Sequence, residues 1–411
     1  MATKVRKFVS REFARTVDLQ LLERFLAPFI DRIEFDLTAL PEDEEEKREA
    51  IFEFFRGADD RFPPKMQNAL HGVSTLSTPG GSRLLQEQAD VAGIVLVPRE
   101  ELEGPEDGRH LTPRHLALRA YLDHRAVFNR ALDISAFWSV SSPLELVGAR
   151  EGVECRHTDP AAQEAFRSAV SAHFTERYNG RYCDVRWYPE DDEVNILVLH
   201  GRNPRTANVE QDGSESTLSY REIAQDTIRY HAASGRVKIG AGTPPDRRKL
   251  VELFAEHLLG EPDFFKGNNS DRLYTLEPIR TRGTGFRFRH EWDEDITSVT
   301  VREIQIDEGE HEVNGRMRYS PWAMTVRDSR DAIARLAELA PDVHFADLRI
   351  NYVKLEFRFD VDEKESRVMV KIKPPNIASF RDHSFEKTIM EHLELNGLRI
   401  AKSVSAAAAA E

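Results

Sequence analysis

TRGTGFRFRH, residues 281–290, interleaves Arg282, Arg287, Arg289 and His290 with Phe286 and Phe288. Cations alternating with aromatics suit two tasks. One is contact with phosphates, where each Arg or Lys releases condensed counterions. The other is protection of an exposed strand, where outward charge blocks pairing with another chain. The alternation recurs downstream. In YVKLEFRF, Val353, Leu355, Phe357 and Phe359 oppose Lys354, Glu356 and Arg358; in RVMVKI, Val368, Val370 and Ile372 oppose Arg367, Met369 and Lys371, with Lys373 following. Arg287, Arg289, Lys354, Arg358, Lys371 and Lys373 are therefore the candidate nucleic-acid-binding residues, expected on one accessible face. If the two later strands align their apolar faces, Glu356 should lie near Lys371 and offset part of its charge. Base-stacking sheets also present aromatics outward, whereas the phenylalanines here fall on the core side.

Other constellations carry less. Arg381, Asp382 and His383 form an acid/base grouping in which the carboxylate would orient the imidazole, although a helix-capping loop explains the same residues. A nuclease-type metal site would draw on Asp347 and Glu356, with Arg358 where a lysine is needed; arginine stays charged and shuttles no proton. GAGTPPDRRK puts Gly240 and Gly242 before a helix N-terminus, a phosphate-binding geometry, but the third glycine of a dinucleotide loop is missing and Asp246 repels anions. His110, His115 and His124 show no i, i+4 pairing with carboxylate support, so no metal is expected. Walker A, G-x-S-x-G, H-E-x-x-H and paired C-x-x-C patterns are all absent. No catalytic residue or cofactor is assigned.

The totals bound the setting. A chain of 411 residues exceeds one ordinary core. Composition is that of a soluble globular protein, 40% hydrophobic and 31% charged. A net charge of −14 argues against coating DNA by bulk attraction. The imbalance is uneven, with 35 Lys/Arg against 45 Asp/Glu in residues 1–270 but 22 against 25 in 271–402. Two cysteines, Cys155 and Cys183, make a disulfide framework unexpected. No apolar run reaches the roughly 20 residues a membrane span needs, and the basic N-terminus lacks an apolar signal core. The expected location is cytoplasmic, and arginine-rich usage with an alanine tail fits a GC-rich bacterial genome.

The elements that position these residues follow from periodicity and caps. The expected fold is α+β or mixed α/β. Residues 1–135 should be mostly helical, 136–268 a mixed α/β domain, 269–402 an α+β domain with an antiparallel hairpin and two helices, and 403–411 a disordered tail. Leu19, Leu22, Phe25, Leu26, Phe29 and Ile33 share one helical face, interrupted at Pro28. A helix over 42–56 should end at Gly57. Thr112 and Pro113 should open another, and a strand is expected from Ile94 to Val97. In the middle, a helix at 160–178 leads to CDVRWYP and EVNILVLHG, then a hairpin turning near Ser234 and Gly235, then a helix from Thr243 to Leu259. In the last third, GFRFRH reads as a strand, SVTVREIQI as a strand with a bulge between Val301 and Ile304, and SRDAIARLAELA as a helix capped by Ser329 or Asp328. A seven-residue turn should join YVKLEFRF to RVMVKI before a final helix closed by Gly397.

Two functional expectations follow. The first is a non-enzymatic regulatory or accessory protein touching nucleic acid or a partner complex through the C-terminal sheet. The second is a nuclease or other hydrolase with an unrecognised site, as a component of a multi-gene bacterial system such as phage defence. The N-terminal helices, with their acidic stretch from Glu42 and the large rings Phe54 and Phe55, offer a protein-docking surface unless one helical core buries them.

Overall fold

The computed structural model describes residues 11–33, 35–56, 62–98, 112–140, 143–190, 193–211, 213–267, 269–309, 311–313, 316–318, 320–341, 344–361, 364–380 and 385–400. By contacts the chain divides into two compact units, Met1–Ala136 and Phe137–Glu411. The class is α+β, and among the described residues every strand pair is antiparallel.

The first unit is helical where described. It contains α1 (Arg11–Thr16), α2 (Leu19–Leu26), α3 (Glu44–Arg56), α4 (Pro64–Leu76), α5 (Pro79–Val91) and α6 (Pro113–Asp123), and α7 (Arg125–Trp138) begins in it. Local chemistry sets the ends. Thr112 accepts the His115 N–H, with Pro113 at the first helical position. Helix α2 tightens to a 3-10 turn at Ala27, one residue before Pro28. The expected strand at Ile94 to Val97 is absent. Gly93 takes a left-handed φ of 66° and the Ile94 N–H returns to the Ala89 carbonyl, so the segment closes α5 instead. Gly57 lies outside the described residues. Phe55 is buried against Phe13, and Phe54 stacks on Phe35 at 4.0 Å and meets Phe62 at 5.3 Å. The rings on which the docking expectation rested are therefore used internally.

The second unit holds two five-stranded sheets with separate cores. The first sheet runs β1-β7-β6-β3-β2, built from β1 (Leu144–Val147), β2 (Cys183–Pro189), β3 (Glu193–Gly201), β6 (Ile223–His231) and β7 (Arg236–Gly240). Hairpin β4 (Arg205–Gln211) and β5 (Ser214–Tyr220) stands apart as a two-stranded sheet that periodicity did not announce. Helices α8 (Pro160–Glu176) and α9 (Pro244–Phe254) contribute Phe166, Val170, Phe174, Leu250 and Phe254 to a core with Ile196, Val198, Ile228 and Ile239. Thr243 caps α9 and Gly235 turns the hairpin at a φ of 61°. Strand β3 lies inside the sheet between β6 and β2, and Val194 to Gly201 are buried throughout.

The second sheet runs β11-β8-β12-β13-β14, from β8 (Ile296–Asp307), β11 (Met324–Arg327), β12 (Arg349–Val361), β13 (Lys364–Lys373) and β14 (Ile377–Ser379); β9 (His311–Val313) and β10 (Arg316–Arg318) pair separately. Three helices contribute to its core where two were expected: α10 (Glu277–Arg282), α11 (Ala332–Leu339) and α12 (Glu386–Leu395). The cap of α11 is Asp331, which accepts from Ile333 and Ala334; Asp328 holds the preceding turn through Arg330 and Asp331. Strands β12 and β13 run on to Val361 and Lys364, so only 362–363 separate them. Gly397, with φ 71°, follows α12 as the spacing implied.

The sheets are joined through β1. Its Glu145 N–H donates to the Asn376 carbonyl at 3.1 Å and its Val147 N–H to the Ser270 carbonyl at 2.8 Å. The buried Glu145 carboxylate accepts from Tyr274 Oη at 2.6 Å and from Arg236 at 3.3 Å. Arg229 and Lys238 of the first sheet both reach Glu386 on α12.

Candidate polyanion-binding face

Strand β12 sorts its side chains cleanly. Val353, Leu355, Phe357 and Phe359 are fully buried and join the core that also holds Ile279, Ile333 and Ile389 of the three helices. Helices thus cover one side of the sheet. Tyr352, Lys354 and Arg358 point to the other side and stay half-exposed. The β12–β13 register sets Lys354 opposite Lys371, Glu356 opposite Met369, and Arg358 opposite Arg367. Glu356 was expected beside Lys371, but the aligned apolar faces place two lysines directly across from each other.

A register shift opposite Lys354 and Leu355 brings Arg302 and Glu303 together on this open face. Glu303, nearly buried, accepts from Tyr352 Oη at 2.6 Å, Arg327 Nε at 2.7 Å and Lys354 Nζ at 3.0 Å. Glu356 accepts from Arg358 at 2.9 Å and Arg302 at 3.2 Å. Asp307 accepts from Arg349, Asn351 and the Gly309 N–H. Burial alone would raise these three carboxyls. Hydrogen bonds and facing cations outweigh it, led by Tyr352 at Glu303, Arg358 at Glu356 and Arg349 at Asp307, and hold each below its ordinary range.

The strand residues of this face carry eight cations, Arg302, Arg327, Arg349, Lys354, Arg358, Arg367, Lys371 and Lys373, against Glu303, Asp307, Glu356, Asp360 and Glu365. Three positive charges remain in surplus. Lys371 has no carboxylate partner among the described residues; its ammonium lies 4.4 Å from the Tyr352 ring. Burial lowers its pKa, and Lys354 and Lys373 lower it further. An anion arriving here would relieve that repulsion.

Arg287 and Arg289 do not join this face. The alternation of buried Phe286 and Phe288 with exposed Arg287 and Arg289 is as expected, but residues 286–290 pair with no strand among the described residues. Asn396, after α12, takes the place of a neighbouring strand: it accepts the Arg289 N–H at 2.8 Å and donates to the Arg289 carbonyl at 2.9 Å. Phe288 meets Phe357 edge-on at 5.3 Å, which puts the segment on the helix-covered side. Arg287 folds back on the Thr284 and Phe286 carbonyls. The opening stretch is neither an edge strand nor part of the open basic face.

The rival chemistry finds little footing. Asp347 precedes β12 and Glu356 lies seven residues beyond the first residue of that strand. At roughly 3.3 Å per residue they are more than about 20 Å apart, too far to share a metal. Among the described residues no three His, Cys, Asp or Glu side chains gather to hold an ion. Arg381, Asp382 and His383 lie outside the described residues. Both cysteines are free, and burial pushes Cys155 up to about 12 and Cys183 up to about 11, so neither offers a thiolate at neutral pH. Among the described residues no helix is long and apolar enough to cross a membrane.

The carboxylates make stability pH-dependent in one direction. Depressed in the fold, Glu303, Glu356 and Asp307 contribute fully above their unfolded values of about 4 and lose that contribution as pH falls through the folded ones. Urea midpoints should stay level from pH 7 to about 5 and then drop. Glu303→Gln should start lower at pH 7 and fall less steeply. Parallel curves for variant and parent would remove Glu303 from the account.

No known protein family matches this chain, and no curated protein matches its sequence.

Proposed function

We propose that this protein is a nucleic-acid-binding accessory protein that lays a single strand across the open face of its C-terminal sheet. The supporting observation is the surplus of cations on that face, held upright by buried carboxylates, with Lys371 and Lys373 lacking acidic partners among the described residues. Carboxylates beneath a layer of arginines keep the guanidinium groups ordered, so less side-chain freedom is lost when phosphates arrive. Tyr352 and the exposed Met369 supply flat and apolar surface between the charges for bases to rest on. The whole chain's net charge of −14 then disfavours indiscriminate coating and confines contact to this face.

The test is a salt titration of a fluorescent oligothymidylate by anisotropy. The parent should bind with a strong salt dependence. Lys371→Ser with Lys373→Ser should lower the salt slope by about 1.4, at roughly 0.7 per single-strand phosphate contact, while stability moves by less than about 0.5 kcal/mol. Arg287→Ser with Arg289→Ser, on the other side of the sheet, should bind as the parent does. Absence of binding by the parent at low salt, or equal losses in the two double variants, would reject the open face as the binding surface.

A further inference from the structure

A second site, separate from the basic face, lies where the end of β1 meets the chain entering the second sheet. A cleft of about 370 Å³ is lined by Val147, Arg236, Ser270, Arg272, Leu273 and Ile400, with glycine backbone at 148 and 267. That volume falls within the roughly 300–1,000 Å³ of small-molecule pockets. Its floor is apolar and built from paired extended segments: the Ile400 N–H donates to the Leu273 carbonyl at 2.8 Å, beside the Tyr274–Arg399 bridge. Ile400 is left 41% exposed, an apolar side chain facing the cleft with nothing upon it among the described residues.

The polar side consists of two arginines. Arg236 is only 13% exposed, and among the described residues its guanidinium donates to Glu145 alone, through one nitrogen at 3.3 Å. A guanidinium carries five N–H donors in a planar fork. The Arg236 side chain is not fully buried and lines the cleft, so donors that Glu145 does not use can be reached from it. Glu145 already offsets the Arg236 charge. Arg272, exposed and without a carboxylate within salt-bridge distance among the described residues, supplies the net positive charge. A planar fork, one surplus charge and an apolar floor favour one chemical class.

We propose that this cleft binds a small monocarboxylate with a short apolar body, its carboxylate between Arg236 and Arg272 and its body against Leu273 and Ile400. A dianion would carry more charge than the site offsets, and a neutral chain would leave the arginine donors unmatched.

Hexanoate titrated into the full chain, followed by saturation-transfer NMR, tests this against 1-hexanol and inorganic phosphate. Hexanoate should bind saturably and at least about tenfold more tightly than hexanol, since the charged hydrogen bonds are made only by the acid. Phosphate should not displace it at equal concentration. Arg236→Ala would strand the buried Glu145 and risks misfolding, so Arg272→Ser is the informative variant and should weaken hexanoate about tenfold. Hexanol binding as well as hexanoate, phosphate displacing hexanoate, or Arg272→Ser binding unchanged would each overturn the assignment.

Discussion

Replacing Phe357 with alanine should cost about 3–5 kcal/mol, the usual range for removing a fully buried aromatic ring. Phe357 has no exposure and packs between Phe288, edge-on at 5.3 Å, and Phe359 at 6.1 Å. The void would open in the middle of β12, where strands on both sides and the segment at 286–290 hold the walls in place. Phe288→Ala should cost less, because that ring lies at the margin of the core and the unpaired segment carrying it can settle inward. The double variant should cost less than the sum, since both deletions empty one space. Urea unfolding of the three variants decides it; a Phe357→Ala loss under about 1 kcal/mol would mean the core collapses freely around that site.

Glu145→Ala should be comparably severe, at about 3–5 kcal/mol, by a different mechanism. The carboxylate is 1% exposed, and its removal leaves Arg236 in a largely buried position without a counter-charge and the Tyr274 hydroxyl without its oxygen acceptor. Burial, followed by the nearby Glu145 charge, already holds the Tyr274 phenol well above its ordinary pKa, so that hydroxyl remains a proton donor at any ordinary pH. Tyr274→Phe removes one bond and keeps the ion pair, and should cost only about 1–2 kcal/mol. The contrast between the two variants in chemical unfolding is the measurement. Equal losses would place the energy in the Tyr274 hydrogen bond, leaving the Arg236 charge a spectator.

Signals written in adjacent residues were legible in the sequence. Thr112 with Pro113 and Thr243 with Pro244 open their helices because a hydroxyl and a fixed φ act within three residues. The β12–β13 pair was legible because alternation of apolar and charged residues reports a half-buried ribbon. The same alternation misled at Phe286 to Arg289. Period two says which side a residue faces, and it is silent on what takes the backbone hydrogen bonds; here the partner is Asn396, 107 residues away. Half of the open face was equally hidden. Arg302 and Arg327 join Lys354 and Glu356 only once the sheet order β11-β8-β12 is known, and the shift that turns Glu303 outward depends on the partner strand. Tyr352 stood two residues before Lys354 in the same alternation and was the one missed contributor that spacing could have found. The cleft lined by Arg236 and Arg272 draws on four separated stretches of chain, and no local pattern joins them.

The way β1 is held has a consequence for how the larger unit can be divided. A cut after residue 268 would separate the two hydrophobic cores, and each fragment would keep most of its apolar contacts, although Val147 of the first packs on the core of the second. Yet among the described residues β1 has only β7 as a strand partner; along its outer edge the Glu145 and Val147 amides bond to residues 376 and 270. The N-terminal fragment would therefore carry a bare strand margin, two unsatisfied amides and a buried acid deprived of Tyr274. Margins of that kind recruit other chains. Fragments made by limited proteolysis at this point should self-associate, whereas the nicked but undissociated protein should not, because the strand that would template assembly remains occupied by its own chain.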